Sequence, residues 1–417
     1  MTEKVYLCID LKSFYASVEA VERGLDPFRA NLVVADASRG RGAICLAITP
    51  ALKEKGIRNR CRLFEIPDSV EYIAAMPRMK KYMEYSAEIY GIYLRFVARE
   101  DILVYSIDEC FFDITAYLTL YRKTPKEIAR MMMDAVFCET GISASCGIGT
   151  NLFLAKVALD ITAKHSPDRI GILDEETYQK TLWHHTPLTD FWNVGPGTAK
   201  RLMKYGIEDM CGVAHTDEAV LYREFGKNAA YLIDHAKGIE PCTISEIHAY
   251  VPKSTSISSG QILFENYNYD DALLVLREMV ENLSLELIER GMQTDTVSLA
   301  VGYAEGGTCG GSRKLAAFTD SARRLISEIC ALYKEKVEKD TPIRRLNIGF
   351  GHLAAADFVN FDMFSDYARD EKERKKQAAV AALRNRFGKN AVVRGMNLME
   401  KATGIKRNRL VGGHNGE

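Results

Sequence analysis

Three carboxylates stand where the sequence pattern places the ends of strands. Asp10 directly follows the apolar run Val5–Ile9, and the neighbours Asp108 and Glu109 lie inside an alternating stretch, Ile102–Thr115. Paired strands lie only about 4.8 Å apart, so carboxylates far apart in sequence can converge on one sheet. Converging carboxylates need a cation, and hard oxygen ligands select Mg²⁺. Two such ions about 3.5–4 Å apart would activate a hydroxyl nucleophile and stabilise a departing pyrophosphate.

The acidic pair also has a simpler interpretation. Acidic residues are common in exposed turns, and Asp108-Glu109 taken alone favours a polar turn without chemistry. The residues that surround both acidic sites decide between the two interpretations.

The elements that would position these carboxylates form one α+β unit. The helical pattern Ser13–Arg23 follows the first strand directly, so Asp10 lies at a strand-to-helix junction. Asp108 and Glu109 lie in the turn of a predicted hairpin. Thr124-Pro125-Lys126-Glu127 is a capping box with proline at the first helical position. The other predicted elements are helices at about Pro50–Lys55, Met79–Phe96 and 125–139, and a strand at Ile142–Ile148.

The rest of the chain divides into three stretches. Residues 168–242 show short helical patterns, and 243–250 form a candidate linker. A second α+β unit then follows, with helices at about 269–290 and 321–338 and a last strand at 343–350. Residues 356–417 carry 13 Lys and Arg against 8 Asp and Glu, and the charged run Arg369–Lys376 is typical of a solvated helix.

Length and composition narrow the classes of protein. A chain of 417 residues predicts three or four modules, because one hydrophobic core stops growing near roughly 250–300 residues. The ten cysteines include no CxxC pair, and no apolar stretch reaches the roughly 18–20 residues of a membrane span. These features predict a cytoplasmic protein with reduced thiols and no membrane partner. A net charge of −1 argues against coating nucleic acid by bulk charge but allows a local basic groove.

Two segments carry a family resemblance. Asp10–Glu19 (DLKSFYASVE) and Tyr105–Glu109 (YSIDE) closely resemble the two signature motifs of Y-family DNA polymerases. The resemblance extends over nearly the whole chain and is closest to the bacterial UmuC-like branch, including its Gram-positive plasmid and phage-type relatives. It implies template-directed DNA synthesis of low fidelity that bypasses lesions in an SOS-type damage response. It also implies Mg²⁺, dNTPs and primer–template DNA.

The implied fold is multidomain α+β, a right hand with a ferredoxin-like palm and small fingers. A helix-hairpin-helix thumb, an α+β little finger and a C-terminal tail complete it. The expected boundaries are 1–27 and 77–165 for the palm, 28–76 for the fingers, 166–242 for the thumb, 248–355 for the little finger and 356–417 for the tail.

The resemblance also assigns roles around the carboxylates. Asp10, Asp108 and Glu109 would be catalytic and, with the backbone carbonyl of Leu11, would hold two Mg²⁺ ions. Tyr15 would be the steric gate that leaves no room for a ribose hydroxyl. The implied nucleotide-binding residues are Phe14, Tyr15, Lys53 and Lys156.

Each of these nucleotide contacts has an alternative. The two aromatic side chains could be ordinary core, since buried aromatics normally serve packing, and the two lysines could be solvated surface charges. Archaeal relatives have a tyrosine and an arginine where this chain has Pro50 and Lys53. The triphosphate contact from this side therefore lacks a hydroxyl and a bidentate donor.

The implied DNA and partner contacts lie outside the palm. Glycines in a helix-hairpin-helix let the backbone approach a phosphate, although a GxG is often only a helix cap. A short apolar peptide after the little finger resembles the sliding-clamp-binding peptide of bacterial polymerases. The resemblance also implies that the protein is a monomer. The implied DNA contacts are Gly195, Gly197, Thr198, Lys253 and Ser254, and the implied clamp contacts are Asn360, Phe361, Met363 and Phe364.

Two rival functions fit parts of this pattern. A non-catalytic member of the fold could link the clamp to a replicase, but the intact Asp10, Asp108 and Glu109 argue against it. A nucleotide cyclase could share a palm-like sheet, but such an enzyme needs neither the helix-hairpin-helix thumb nor the unit at 251–352.

Overall fold

The computed structural model describes residues 4–252, 255–356 and 367–416. It divides into two units, one of residues 1–250 with 415–417 and one of residues 251–414. Each unit has its own sheet and hydrophobic core. In the described ranges, no helix is long and apolar enough to cross a membrane.

A five-stranded sheet organises the first unit. The strands of this unit are β1 (Tyr6–Leu11), β2 (Leu32–Val34), β3 (Ala47–Ile48), β4 (Ile73–Ala75), β5 (Ile102–Val104), β6 (Glu109–Asp113), β7 (Ala144–Gly149) and β8 (Ile170–Leu173). The large sheet has the order β5-β6-β1-β7-β8, and β1 pairs antiparallel with both β6 and β7. The predicted hairpin is therefore β5 and β6, next to the central strand.

Helices cover both faces of this sheet. They are α1 (Phe14–Val21), α3 (Met79–Tyr93), α4 (Thr115–Tyr121), α5 (Pro125–Thr140) and α6 (Leu152–Val157), whereas α2 (Pro50–Glu54) packs through Leu52 in the core of the small sheet β3-β2-β4. Successive side chains of a strand point to opposite faces. Leu7 and Ile9 of β1 therefore pack with α3 and α5, whereas Tyr6 and Cys8 pack with α6. The predicted capping box is present, since the Thr124 and Glu127 side chains each accept from the other's backbone N–H.

The two smaller parts of the first unit agree with the sequence predictions only in part, since no sheet was predicted for residues 28–76. Strands β3, β2 and β4 form a separate three-stranded sheet over its own core. The short helices predicted over 168–242 are present from residue 175 onward as α7 (Glu175–Leu182), α8 (Pro196–Met203), α9 (Met210–His215), α10 (Glu218–Phe225) and α11 (Ala229–Lys237). The prediction was wrong at the start of that stretch, because Ile170–Leu173 is β8, which pairs with β7 in the large sheet. A short 3₁₀ turn, Leu188–Asp190, precedes the glycine-containing turn before α8.

The prediction of a linker at 243–250 was wrong for most of that stretch. Residues Ile244–Ala249 form helix α12, which begins with a second capping box, Thr243 and Glu246. Ile244 is buried against Tyr6 and Phe111 of the large sheet. The apolar side chain at the start of the helix packs on the sheet, which a solvated linker does not do.

The second unit is a four-stranded antiparallel sheet with helices packed on it. Its elements are β9 (Ile257–Tyr267), α13 (Tyr269–Glu289), β10 (Met292–Tyr303), β11 (Thr308–Thr319), α14 (Ala322–Lys336), β12 (Ile343–Ala355), α15 (Tyr367–Phe387), α16 (Gly404–Arg407), β13 (Leu410–Val411) and β14 (His414–Asn415). The strand order is β11-β10-β12-β9. The predicted succession of strand, helix, two strands, helix and strand is confirmed.

The stretch expected as a tail, 356–417, is structured over residues 367–414. Helix α15 packs against α13, with Gln377 and Ala381 buried. The charged run at 369–376 indicated a solvated helix, and its lysines are exposed, but the apolar and amide positions on the other side of the helix are covered. The C-terminal lobe, as we call residues 367–414, is part of the second unit.

Candidate active site

Asp10 and Glu109 face each other across the two central strands. They are direct partners in the antiparallel register of β1 and β6. Asp108 is the last residue of the hairpin turn, whereas Glu109, which was predicted in that turn, is the first residue of β6. The backbone carbonyl of Asp108 accepts a 2.9 Å hydrogen bond from the Leu11 N–H. Its carboxylate accepts a 2.6 Å hydrogen bond from the Ser106 hydroxyl. The carboxylates predicted as a group therefore lie together at one end of the strand pair.

The pKa of Asp10 reflects this convergence. Burial, followed by the negative charges of Asp108 and Glu109, raises the pKa of Asp10 to about 7, while Lys156 acts in the opposite direction. Like charges in a shared site disfavour ionisation, and a cation placed between them favours it. The group thus has an excess of negative charge for a bound cation to neutralise.

Lys156 is buried beside Glu109. Its Nζ lies 2.9 Å from Oε1 of Glu109 and 3.0 Å from the Asp160 carboxylate. Burial alone would lower the pKa of Lys156, but the two carboxylates outweigh it and raise that pKa. The thiol of Cys8 donates to the same Glu109 oxygen at 3.0 Å. Cys8 and Asp160 were not predicted, and the only sequence signal was the i,i+4 spacing of Lys156 and Asp160.

Two glycines let the helix that carries Lys156 approach the sheet. A Cβ at Gly147 would lie 2.0 Å from the Ala155 carbonyl oxygen, and a Cβ at Gly149 would lie 2.2 Å from the Ala155 nitrogen. Only glycine therefore fits at these points of β7. The close contact between α6 and β7 places the ammonium group of Lys156 next to the carboxylates of the neighbouring strands.

Phe14 and Tyr15, the two aromatic residues predicted to contact the nucleotide, lie in different environments. Ser13 adopts φ +52°, and α1 begins at the next residue. Phe14 is 2% exposed and lies in the core, as its alternative interpretation proposed. Tyr15 is half-buried, and burial and the charge of Asp108 raise its pKa. The structure thus brings Tyr15 to the carboxylates and places Phe14 in the packing beneath.

A group of cations lies beside the carboxylates. Burial and the charges of Lys12 and Lys164 lower the pKa of Lys53, and the charge of Asp10 opposes them, so these groups share one neighbourhood. The ammonium of Lys12 and the guanidinium of Arg169 lie 5.7 and 4.7 Å from the centre of the Phe28 ring. Sequence reasoning found Lys53 and assigned no role to the other three: Lys12 lies inside the quoted motif Asp10–Glu19, and Lys164 and Arg169 lie in no motif. Several cations near clustered carboxylates suit a polyanionic substrate bound with metal ions.

The chain has relatives over almost its full length. The impB/mucB/samB family model matches residues 9–160, and the model of that family's C-terminal domain matches residues 254–363. The UV-damage repair protein UvrX of Bacillus subtilis is 30% identical, with 99% of this chain and 97% of its own length aligned. DNA polymerase IV 2 of the same organism is 31% identical, with 99% of each chain aligned.

A solved structure shares the fold. It is a chimera of the Y-family DNA polymerases Dbh and Dpo4, with a TM-score of 0.66 and 18% identity over 84% of this chain and 99% of that chain. The chain belongs to the Y family of DNA polymerases. This confirms the family and the right-hand α+β fold that the motifs at Asp10 and Asp108 predicted. Placement of this Y-family polymerase in the UmuC-like branch stays a prediction.

The predicted thumb contacts of this Y-family polymerase lie at the start of a helix. Gly195 is the N-cap of α8, and Gly197 and Thr198 are in its first turn. A Cβ at either glycine would meet nothing within 4 Å, so internal packing does not require glycine there. The open space leaves the backbone accessible to a ligand. The related turn Gly226–Asn228 joins α10 and α11, and Gly226 has φ +60°.

The predicted contacts Lys253 and Ser254 lie outside the described residues. So does the predicted clamp peptide with Asn360, Phe361, Met363 and Phe364.

The chemistry of the carboxylate group of this polymerase fits divalent metal ions. In the part of the chain that the structure describes, no three acidic, thiol or imidazole groups are already arranged as a metal site, and Lys156 contacts one Glu109 oxygen. The donors are nevertheless hard oxygens, and burial together with the charges of Asp108 and Glu109 raises the pKa of Asp10 even though Lys156 acts in the opposite direction. Family membership implies dependence on divalent metal ions.

Proposed function

We propose that this Y-family polymerase extends a primer 3′-end by two-metal nucleotidyl transfer, with low fidelity and across damaged templates. It is a DNA-directed DNA polymerase, with primer–template DNA and dNTPs as substrates. Convergence of Asp10, Asp108 and Glu109 at one end of the central strands is the observation that carries the proposal. Relatives named as a DNA polymerase and a UV-damage repair protein support it.

The residues present have distinct roles in this proposal. Asp10, Asp108, Glu109 and the Leu11 carbonyl would hold two Mg²⁺ ions. When bound, these ions would lower the pKa of the primer hydroxyl and neutralise charge on the departing pyrophosphate. The hydroxyl oxygen bonds to the α-phosphorus as the bond to the pyrophosphate oxygen breaks.

The cations orient the nucleotide for this displacement. Lys53, with Lys12 and Arg169, would bind the triphosphate from one side, and Lys156 would bind it from the palm. Lys156 is paired with Glu109 and Asp160, so its ammonium is already held beside the reacting groups. Tyr15 would lie under the deoxyribose and exclude a 2′-hydroxyl by contact.

The proposal for DNA binding uses backbone contacts that do not read sequence. The open turn at Gly195, Gly197 and Thr198 and the start of the second unit at Lys253 and Ser254 would each contact phosphates. We also propose that the enzyme acts as a monomer in the cytoplasm, where its ten free thiols stay reduced.

The test is single-turnover primer extension with Asp108→Asn. The substitution removes one charged ligand from the shared site, so we expect the rate to fall by about a thousandfold or more, with DNA affinity nearly unchanged. Asp134→Asn, at an exposed position on α5, is the matched control and should extend at the parent rate.

The number of bound metal ions is tested by a separate titration. Titration with Mn²⁺ in the presence of DNA and dNTP should find two sites in the parent and fewer in Asp108→Asn. Parent-like extension by Asp108→Asn would remove the catalytic assignment, and a single site in the parent would remove the second ion.

A clamp contact is the last part of the proposal. Phe361, Met363 and Phe364 place three large apolar side chains within four residues, and exposed apolar clusters of that kind mark interaction sites. Replacing both phenylalanines with alanine should leave extension of short primers unchanged and abolish stimulation by a loaded clamp. Titration of a 356–368 peptide with the sliding clamp should give micromolar affinity. No binding at high micromolar concentration would remove this partner.

A further inference from the structure

Positive charge in the second unit is concentrated at its C-terminal end. The C-terminal lobe contains 13 Lys and Arg against 4 Asp and Glu, a net charge of +9, although the whole chain carries −1. Residues 251–356, which contain the four-stranded sheet, have 12 basic and 14 acidic residues. The lobe therefore carries the charge that a nucleic-acid surface needs and that the rest of this unit lacks.

Buried acidic residues fix the lobe to the sheet unit. Glu278, only 2% exposed, accepts hydrogen bonds from the backbone N–H groups of Thr403 and Gly404 and from the Asn397 amide. Arg394 pairs with the buried carboxylate of Glu281 at 2.5 Å. These contacts engage the carboxylates of Glu278 and Glu281 on α13, and they hold the backbone of the lobe in one arrangement.

Six cations of the lobe remain available on its surface. All six are exposed, and within the described residues none has a carboxylate at ion-pair distance, in contrast to Arg374, Lys375 and Lys401. Two of the six lie over aromatic rings, Lys406 at 4.0 Å from the centre of the Phe264 ring and Arg386 at 5.1 Å from that of Phe387. Another two are one helical turn apart on α15, away from the buried Gln377 and Ala381. The six are Lys372, Lys376, Arg386, Lys389, Lys406 and Arg409.

The lobe also contacts β9, the strand that follows the proposed DNA contacts Lys253 and Ser254 in the sequence. Arg407 donates to the Ser259 hydroxyl at 2.6 Å and to the Gly260 carbonyl at 3.2 Å, both on β9. We infer that the C-terminal lobe is a second DNA-binding surface, which holds duplex phosphates through its unpaired lysines and arginines. It lies beyond the residues matched by both family models. The contact is sequence-independent and separate from the chemistry at Asp108.

The test measures the salt dependence of DNA binding by the full chain. The triple variant Lys372→Gln, Lys376→Gln and Lys389→Gln should bind a long primer–template duplex about tenfold more weakly at low salt. The slope of log affinity against log salt should become shallower by about 0.9 for each phosphate that the variant no longer neutralises. Extension at saturating DNA should equal that of the parent, because none of the substituted residues belongs to the carboxylate group or to the cations assigned to the nucleotide.

A control variant separates this surface from bulk charge. Lys123→Gln, Lys334→Gln and Lys339→Gln remove the same charge at exposed positions outside the lobe and should leave the slope unchanged. A parent-like slope in the lobe variant, or an equal loss in the control, would overturn the inference. Neither result bears on the catalytic proposal, which depends on extension by Asp108→Asn.

A separate observation concerns the support of Tyr15. The fully buried ring of Tyr82 stacks on the Tyr15 ring, with centroids 4.4 Å apart and planes within 15°. The Tyr82 hydroxyl donates to the buried Glu19 at 2.8 Å, and Arg78 donates two hydrogen bonds of 2.9 Å to the same carboxylate. Tyr82 is thus fixed at both its face and its hydroxyl.

From this geometry we infer that Tyr82 is a positioning residue for sugar discrimination, an inference that rests on the proposed gate role of Tyr15. A ring that can tilt no longer excludes a 2′-hydroxyl, and the stacked partner prevents the tilt. Tyr82→Phe keeps the ring, whereas Tyr82→Leu and Tyr82→Met remove the flat surface.

The measurement is the ratio of rNTP to dNTP incorporation efficiency. Tyr82→Leu and Tyr82→Met should raise it about tenfold, while Tyr82→Phe should stay within about twofold of the parent. If Tyr15→Ala relaxes discrimination and the Tyr82 variants do not, this inference fails. If Tyr15→Ala itself has no effect, the proposed gate fails.

Discussion

The two large sheets each carry a strand carboxylate that is shielded from solvent, and they place it in opposite environments. Asp10 on β1 is partly buried, and burial together with the like charges around it raises its pKa to about 7. Asp295 on β10 is buried, but His352 and the Thr296 hydroxyl contact it at 2.9 and 2.8 Å. Burial would raise the pKa of Asp295, and these partners outweigh it and lower that pKa.

The difference between Asp10 and Asp295 shows how a catalytic carboxylate can be told from a structural one. A carboxylate that is paired within its unit contributes to structure, because its charge is already satisfied. A group of carboxylates that protein cations do not balance costs stability, and a ligand has to supply the missing charge.

The largest expected effect separates these two carboxylates. Asp10→Asn should lower the single-turnover extension rate by about a thousandfold or more, because the variant lacks a ligand of the proposed metal ions. Asp295→Asn, an equally conservative change on a buried strand, should extend at the parent rate when DNA is saturating. Equal losses in both variants would mean that the substitutions act through folding and not through chemistry.

Within the palm, the comparison continues between the two adjacent aromatic residues. Tyr15→Ala should increase the efficiency of ribonucleotide use relative to dNTPs by about a hundredfold, because the contact with a 2′-hydroxyl is removed. Phe14→Leu, in the core beside it, should leave this ratio unchanged and lower only thermal stability. If Phe14→Leu alters the ratio and Tyr15→Ala does not, Phe14 is the gate and Tyr15 is part of the core.

The palm was largely predictable from sequence because its determinants are local. An apolar run and a hairpin pattern predict Asp10 at the end of a strand and Asp108 and Glu109 in a turn, and the resemblance of the surrounding residues to a family identifies the three as a catalytic group. The partners Cys8, Asp160 and Arg169 were not predictable, since they meet the site only through strand register and helix packing. Tyr82 was missed for the same reason, although it lies in a helix that the pattern did predict.

The C-terminal lobe was the least predictable part. Its charge pattern suggested a tail, because a sequence rich in Lys and Arg resembles a solvated segment. What fixes it is a set of hydrogen bonds to Glu278, whose position inside α13 is typical of an ordinary charged residue of an amphipathic helix. The groups that donate to Glu278 are more than 100 residues away in the sequence, so the residues around Glu278 give no sign of these hydrogen bonds.

A smaller effect is expected when that carboxylate is removed. Glu278→Ala leaves the Thr403 and Gly404 N–H groups without an acceptor, at a cost of about 2–3 kcal/mol. Amide hydrogen exchange should therefore accelerate in residues 395–409, while extension at saturating DNA stays unchanged. Glu286→Ala, half-exposed on the same helix, is the control. Unchanged exchange in Glu278→Ala would show that other contacts hold the lobe.

The smallest effect concerns pH and a carboxylate that, unlike Asp10, is fully paired. Glu19 is buried, which would raise its pKa, but hydrogen bonds from Arg78, Arg23 and Tyr82 outweigh burial and lower it. A group whose folded pKa is lowered contributes stability above its unfolded value, about 4.3 for Glu, and loses it as the pH falls through the folded value.

The lowered pKa of Glu19 predicts how the melting temperature of Glu19→Gln depends on pH. The melting temperature of the variant should lie well below that of the parent at pH 7, where the parent carboxylate is ionised and paired with two guanidinium groups. The gap should narrow as the pH falls below about 4.3, because the parent then loses the same contribution. Glu88→Gln, exposed on α3, should show one small difference at all pH values. A gap for Glu19→Gln that stays constant between about pH 7 and pH 3 would mean that the Glu19 contacts contribute through shape and not through charge.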